Sequence, residues 1–186
     1  MARLGILYCI DALPRGGGTE NQLHGLIERL DRARFAPHLC TLRNDPREAP
    51  LAGCGRLRLD ARGLARPGFW AGALKLARYL RRERVAVVQS FFQDATLLVA
   101  AAGRLAGTPV RLASFRDLGF WRNVRQDRLL RLAYPAFTGF VANSRAVKDH
   151  FCAKDGLDPA RVTVIPNGLD IDAFPFTAHS ERDAVA

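Results

Sequence analysis

Three consecutive glycines, Gly16-Gly17-Gly18, stand between an apolar run and a helical period, and Thr19 and Gln22 behind them have capping-box spacing. Glycines lack a Cβ, so the backbone can come close to a phosphate, and a helix N-terminus adds free N–H donors and a partial positive charge. The loop 11–20 therefore reads as an anion cradle. Its other reading is a flexible turn that reverses the chain. It is neither a G-x-G-x-x-G fingerprint nor a Walker A loop, because no Gly-Lys-Ser/Thr follows. That argues against a nicotinamide dehydrogenase and against a P-loop NTPase. Cys9, Cys40, Cys54 and Cys152 lie too far apart for zinc or thioredoxin-type spacing. Cys9 and Cys40 read as small buried apolar residues of a reduced, cytoplasmic protein. His24, His38 and His150 adjoin no predicted strand end and read as surface or half-buried residues, and His179 falls in the tail.

The elements that would position this loop follow from periodicity. Short apolar runs predict strands over 2–10, 35–42, 56–59, 85–90, 109–115, 138–143 and 161–165. Helical periods fall between them at 19–30, 69–82, 95–105, 121–134 and 144–154. In the first helix Leu23, Leu26, Ile27 and Leu30 stand at i, i+3, i+4 and i+7, and the fourth ends near Pro135. Strands apolar on both faces and separated by helices imply a mostly parallel sheet covered on both sides, a doubly wound, Rossmann-like α/β domain. Right-handed crossovers carry the loops after the strand C-termini to one edge, where such sheets bind ligands. The informative loops are those after Ile10, Ser90, Phe115, Asn143 and Ile165. The 186 residues, 48% of them hydrophobic, suit one domain. No apolar run approaches the length of a membrane-spanning helix. The first ten residues are interrupted by Gly5 and stop at Asp11, which reads as a core strand rather than a signal peptide.

The order of motifs resembles glycosyltransferase family 4 along nearly the whole chain. Gly17-Gly18-Thr19-Glu20, followed by Leu23 and Leu26-Ile27, is similar to that family's early glycine loop and helix. Arg34-Phe35-Ala36-Pro37-His38-Leu39-Cys40 resembles its second strand. Phe140-Val141-Ala142-Asn143-Ser144-Arg145-Ala146-Val147 resembles a strand ending in Asn/Val-Ser before a helix. Arg161 to Asp170, containing Val164-Ile165-Pro166-Asn167-Gly168 and closed by Phe174, is similar to the segment that leads out of the family's first domain.

The resemblance implies a GT-B enzyme with two Rossmann-like domains facing across a cleft. Residues 1–175 would form the N-terminal, acceptor-side domain, and 176–186 a linker toward a C-terminal domain that grips most of the nucleotide-sugar. The expected activity is retaining transfer of a hexosyl-type sugar from a nucleotide-sugar to a glycan, lipid or small-molecule acceptor, with the chain inactive by itself. No metal or other cofactor is required in such enzymes, because helix dipoles and basic side chains stabilise the leaving diphosphate. Gly16, Gly17, Gly18 and Thr19 are the expected donor-phosphate residues. Asn143 and Ser144 should line the cleft edge, with Asn167 and Gly168 at the hinge. Two departures from the family pattern matter. Gln89 and Phe91 stand where many relatives carry His-x-His, which puts Gln89 on the acceptor side. Arg116 occupies the place of a catalytic or substrate-contacting His, and Asp117 after it is expected on the acceptor side with Gln89. Arginine stays protonated and cannot act as a base, but it binds phosphate or developing charge bidentately. The other reading of Arg116 and Asp117 is a structural ion pair. Glu20 and Glu28 share the spacing of a carboxylate pair that the family keeps in its other domain, a coincidence here.

The net charge of +10 is nearly all arginine. Arg122, Arg125, Arg128 and Arg131, with Trp121, Val124 and Leu132, and Phe69-Trp70 with Lys75, Arg78, Arg81 and Arg82, read as helices able to rest on an anionic membrane at the inner face. The other reading is ordinary amphipathic covering helices. No nucleic-acid module is present, so nucleic acid is not expected as a partner. Two further functions fit the sequence: a stand-alone binding module for an anionic sugar, a lipid headgroup or a partner protein, and a GT-B-like sugar-nucleotide epimerase. The second needs cleft carboxylates and His that are sparse here.

Overall fold

The computed structural model describes residues 3–48, 50–59, 61, 67–120 and 122–168. Seven strands, β1 (Leu4–Ile10), β2 (Phe35–Thr41), β3 (Gly55–Arg58), β4 (Val85–Phe91), β5 (Val110–Phe115), β6 (Gly139–Ala142) and β7 (Val162–Val164), alternate with five helices. The helices are α1 (Gly18–Arg29), α2 (Pro67–Arg82), α3 (Gln93–Ala106), α4 (Val124–Ala133) and α5 (Arg145–Asp155). The strands form one sheet in the order β3-β2-β1-β4-β5-β6-β7, and every adjacent pair is parallel. The doubly wound, Rossmann-like α/β architecture expected from the sequence is the one observed.

Alternation along β1 feeds two cores. Leu7 and Cys9 join the larger one, with Ala73, Leu76 and Leu80 of α2 and Leu98 and Ala102 of α3. Tyr8 and Ile10 face the other way, onto Leu23 and Ile27 of α1, Leu39 and Phe91. Each buried leucine or isoleucine among them contributes about 1.5–3 kcal/mol, which fixes which helix lies on which face. Helix α3 is buried along most of its length and packs against both α2 and α4. It ends at Gly107, whose φ of 70° lets its N–H reach back to the last carbonyls.

Where the structure departs from the expected elements, capping is usually the reason. Helix α1 is capped by Gly17, with φ −87° and ψ 147°, and no side chain closes it. Thr19 therefore lies in the first turn and does not cap. Helix α4 starts at Val124 rather than at Trp121, because Asn123 and Gln126 form a capping box with bonds of 3.0 and 2.7 Å. Trp121 lies outside the described residues, as do Asp170, Phe174 and the tail. Leu26, expected on the inner stripe of α1, is exposed, and His24 is buried in that helix instead.

An ionic cluster joins α4 and α5 beneath the loop that follows β5. Arg122, its side chain 2% exposed, lies 3.0 Å from Asp155 and 2.7 Å from Asp127, the latter an ion pair without hydrogen-bond alignment. The Tyr134 hydroxyl donates to Asp155 at 2.9 Å. The Arg122 guanidinium also lies over the Phe151 ring, which stacks on Phe115 at 4.2 Å. These contacts hold the β5–α4 loop against the core.

Candidate active-site rim

The strand order reverses between β1 and β4, and the crevice of a doubly wound sheet opens at the carboxyl ends of such a pair. Asp11 is the first residue after β1, and its Oδ1 accepts the Ala95 N–H at the start of α3 at 3.2 Å. Arg43 lies 3.7 Å from Asp11 and 3.5 Å from Asp94. With Glu20, Phe92 and Gln126 these residues line an open cleft of about 490 Å³. Burial, and then the negative charge of Asp94, push the Asp11 carboxyl up to about 6, against the pull of Arg43. Phe92 caps α3 with φ 65° and ψ 176°, a region that side chains rarely adopt and that holds of order 1–3 kcal/mol of strain.

The glycine loop borders this cleft. Gly16 has φ 116°, so the requirement for glycine lies there, while Gly17 is extended and Gly18 opens the helix. The Gly16 N–H donates to Asn21 Oδ1 at 3.2 Å. The Glu20 carboxylate folds back into the space a Cβ at Gly17 would take. It places negative charge by the N-terminus of α1, where the helix dipole favours it.

Arg116 follows β5, half-buried. Its Nη2 donates to Asn167 Oδ1 at 2.6 Å, and its carbonyl accepts from Asn143 Nδ2 at 2.8 Å. Arg116 Nε and Asn143 Oδ1 are buried without a partner. Burial lowers the guanidinium pKa from its ordinary value. A cavity of about 40 Å³ is lined by Arg116 and Ser114 together with Phe92 and Tyr134. Across the rim, Gln22 of α1 donates to the Gly168 carbonyl. The segment after β7 is thus held by the glycine-loop helix on one side and by Arg116 on the other.

The structure therefore brings Gly16, Gly17, Gly18, Thr19, Arg116, Asn143, Asn167 and Gly168 to one edge of the sheet. Ser144 stands there too, but its hydroxyl accepts the Val147 N–H as the cap of α5. Asp117 is exposed and accepts the Gly119 N–H at 2.6 Å. Gln89 lies within β4, short of the rim, and donates to Ser114 Oγ at 2.8 Å. Sequence reasoning passed over Asp11, Arg43, Asp94 and Gln126. Asp11 carried a usable signal as the first polar residue after the first strand. Arg43 and Asp94 carried none, because their pairing spans 51 residues.

The comparisons with known proteins bear on the fold and the family. The chain is 26% identical over 183 residues to the putative glycosyltransferase EpsF of Bacillus subtilis, an alignment covering 91% of this chain and 46% of EpsF. It is 28% identical over 109 residues to an Escherichia coli UDP-Gal:alpha-D-GlcNAc-diphosphoundecaprenol alpha-1,3-galactosyltransferase, covering 54% of this chain and 28% of that one. Among solved structures, Anabaena HepE in complex with UDP superposes with a TM-score of 0.74 at 18% identity, over 98% of this chain and 49% of HepE. The chain spans about half the length of EpsF and of HepE. Its fold is that of the Rossmann-like N-terminal domain of GT-B glycosyltransferases. The model of Glycosyltransferase Family 4 matches residues 16–173, and the chain belongs to that family.

Proposed function

We propose that this chain is the acceptor-side domain of a retaining glycosyltransferase, which moves a hexosyl-type sugar from a nucleotide-sugar to a glycan or lipid acceptor. A second, C-terminal domain would hold most of the donor. The observation that carries this reading is the shared rim: the glycine loop, Arg116, Asn143 and Asn167 meet at the carboxyl edge of one parallel sheet. The nature of the relatives supports the substrates. Structures similar to this chain contain UDP or UDP-glucose, and the Escherichia coli relative is named for a UDP-galactose donor and a lipid-linked diphosphate acceptor.

In this reading the free N–H groups of the first turn of α1 face the donor diphosphate, and Glu20 swings away from Gly17 as the phosphate arrives. Arg116 carries a permanent positive charge and stabilises the charge that develops on the leaving diphosphate, so no metal is needed. It exchanges Asn167 for a phosphate oxygen, or contacts both. Asn143 holds the Arg116 backbone in place through its side-chain amide. Closure of the second domain over this rim excludes water and completes the site.

The test is reconstitution. The chain is mixed with a separately produced C-terminal half, UDP-sugars and candidate acceptors, and transfer is followed by mass spectrometry, with the product anomer read by NMR. Transfer that needs both halves and keeps the donor's anomeric configuration is expected. Robust transfer by the chain alone, or an inverted product, would overturn the proposal.

A further inference from the structure

Glu48 is a buried carboxylate that the rim chemistry does not use. It stands in the connection between β2 and β3, and its side chain is 2% exposed. One oxygen, Oε2, takes Arg56 of β3 at 2.5 Å and lies 3.6 Å from Arg58. The other, Oε1, accepts the Leu13 N–H at 3.2 Å, across 35 positions of the chain. Leu13 and Pro14 lead from β1 into the glycine loop, and Pro14 forms an antiparallel bridge with Glu48. The Leu13 carbonyl is held as well. It accepts from Nε2 of His24 on α1 at 3.4 Å, and that histidine is 4% exposed. Leu13 itself is wholly buried in the smaller core, and both of its backbone polar groups meet buried side chains. Just before it, the Asp11 carbonyl accepts the N–H groups of Leu42 and Arg43 at 3.0 and 2.7 Å. The chain is therefore fixed from Asp11 to Pro14, and Gly16, with φ 116°, then turns it toward the start of α1.

We infer that Glu48 is a positioning residue that places the glycine loop for the donor diphosphate, with His24 as its counterpart on the Leu13 carbonyl. A buried ion pair adds little net stability over apolar side chains of the same volume. The Glu48–Arg56 pair by itself therefore gives no reason for a carboxylate here. An apolar side chain, however, leaves the buried Leu13 N–H without an acceptor. A loop that shifts to find one carries Gly16, Gly17 and Gly18 with it. Backbone N–H groups that bind a phosphate must be placed in advance, to within about half an ångström. The inference rests on the donor role proposed for this loop. Glu48 does not line the cleft and acts through Leu13.

Three variants test it. Glu48→Ala removes the acceptor of the Leu13 N–H. His24→Leu removes the donor to the Leu13 carbonyl and keeps a buried apolar side chain. Arg56→Met breaks the ion pair and leaves the Leu13 bond in place. Amide exchange of residues 11–18 is followed by mass spectrometry on the chain itself. It should quicken about tenfold in Glu48→Ala and about threefold in His24→Leu, and stay unchanged in Arg56→Met, whose Tm falls. In the enzyme reconstituted with its C-terminal half, the donor KM should rise by the same factors, with kcat and the acceptor KM unchanged. If Glu48 were merely structural, loop exchange and donor KM would follow Tm, and Arg56→Met would behave like Glu48→Ala; that result overturns the inference. Parental exchange, or a parental donor KM, in both Glu48→Ala and His24→Leu overturns it too. Should Glu48→Ala fail to fold, His24→Leu and Arg56→Met still separate the two roles. Absence of transfer in the parent strikes the proposed reaction instead, and exchange alone then decides whether Glu48 places the loop.

Discussion

Removing the Asp155 carboxylate tests how the rim is held. Asp155, its side chain fully buried, takes Arg122 at 3.0 Å and the Tyr134 hydroxyl at 2.9 Å. In Asp155→Ala the buried Arg122 keeps only Asp127, and Tyr134 loses its acceptor. Breaking a buried ion pair costs about 3–5 kcal/mol, and an orphaned buried hydroxyl about 1–3 kcal/mol. Because Asp127 still compensates Arg122, the low ends apply, about 4 kcal/mol in all. For a chain of this length that is roughly 8–16 °C in Tm. Urea unfolding monitored by far-ultraviolet circular dichroism should show a lower midpoint with an unchanged slope. Arg122→Met in the same background should recover part of the loss, since it removes the poorly compensated charge. A loss under about 1 kcal/mol, or no recovery in the double variant, would show that the cluster is not what pins the β5–α4 loop.

Three further outcomes are expected. Asn167→Ala in the reconstituted enzyme should lower kcat about tenfold, the low end for a hydrogen bond to a charged group, and Asn167→Asp should restore much of it; unchanged kinetics would remove Asn167 as the positioning partner of Arg116. Gly16→Val should destabilise by roughly 1–3 kcal/mol because of its positive φ, whereas Gly17→Val, at an extended backbone, should mainly displace Glu20 and weaken donor use; the two are separated by melting and by KM for the donor. Asp11→Asn should stabilise the fold at pH 8. The folded pKa of Asp11 is raised to about 6, so the fold is favoured at pH values below the unfolded pKa and loses that contribution as the pH rises through about 6. The difference in Tm between the variant and the parent should vanish near pH 4, and a pH-independent difference would show that Asp11 ionisation is not the cause.

The parallel sheet was legible because its central strands are buried on both faces and leave unbroken apolar runs, such as Val85-Ala86-Val87-Val88 and Phe140-Val141-Ala142. The glycine loop and the Asn167-Gly168 segment were legible as residue types at the ends of strands. Helix starts were less so. The fourth helical period was extended back to Trp121, whereas the Asn123–Gln126 capping box starts α4 at Val124. At α1 the Thr19–Gln22 spacing matched a box that the backbone does not form, because Gly17 already supplies the extended cap.

What the sequence determined by itself is the order of strands and helices and the edge of the sheet to which each loop goes, since period, burial and crossover handedness are local or nearly so. What only the tertiary structure decided is which side chains meet there. Arg116 reaches Asn167 across 51 positions, and Asp11 reaches the start of α3 across 84. Such contacts depend on the twist and register of the sheet, and these arise from packing the whole core at once. The same packing moved Arg122 from an expected surface into the interior while leaving Arg125 and Arg128 outside. A three-residue step along a helix cannot assign that difference without the neighbouring α5.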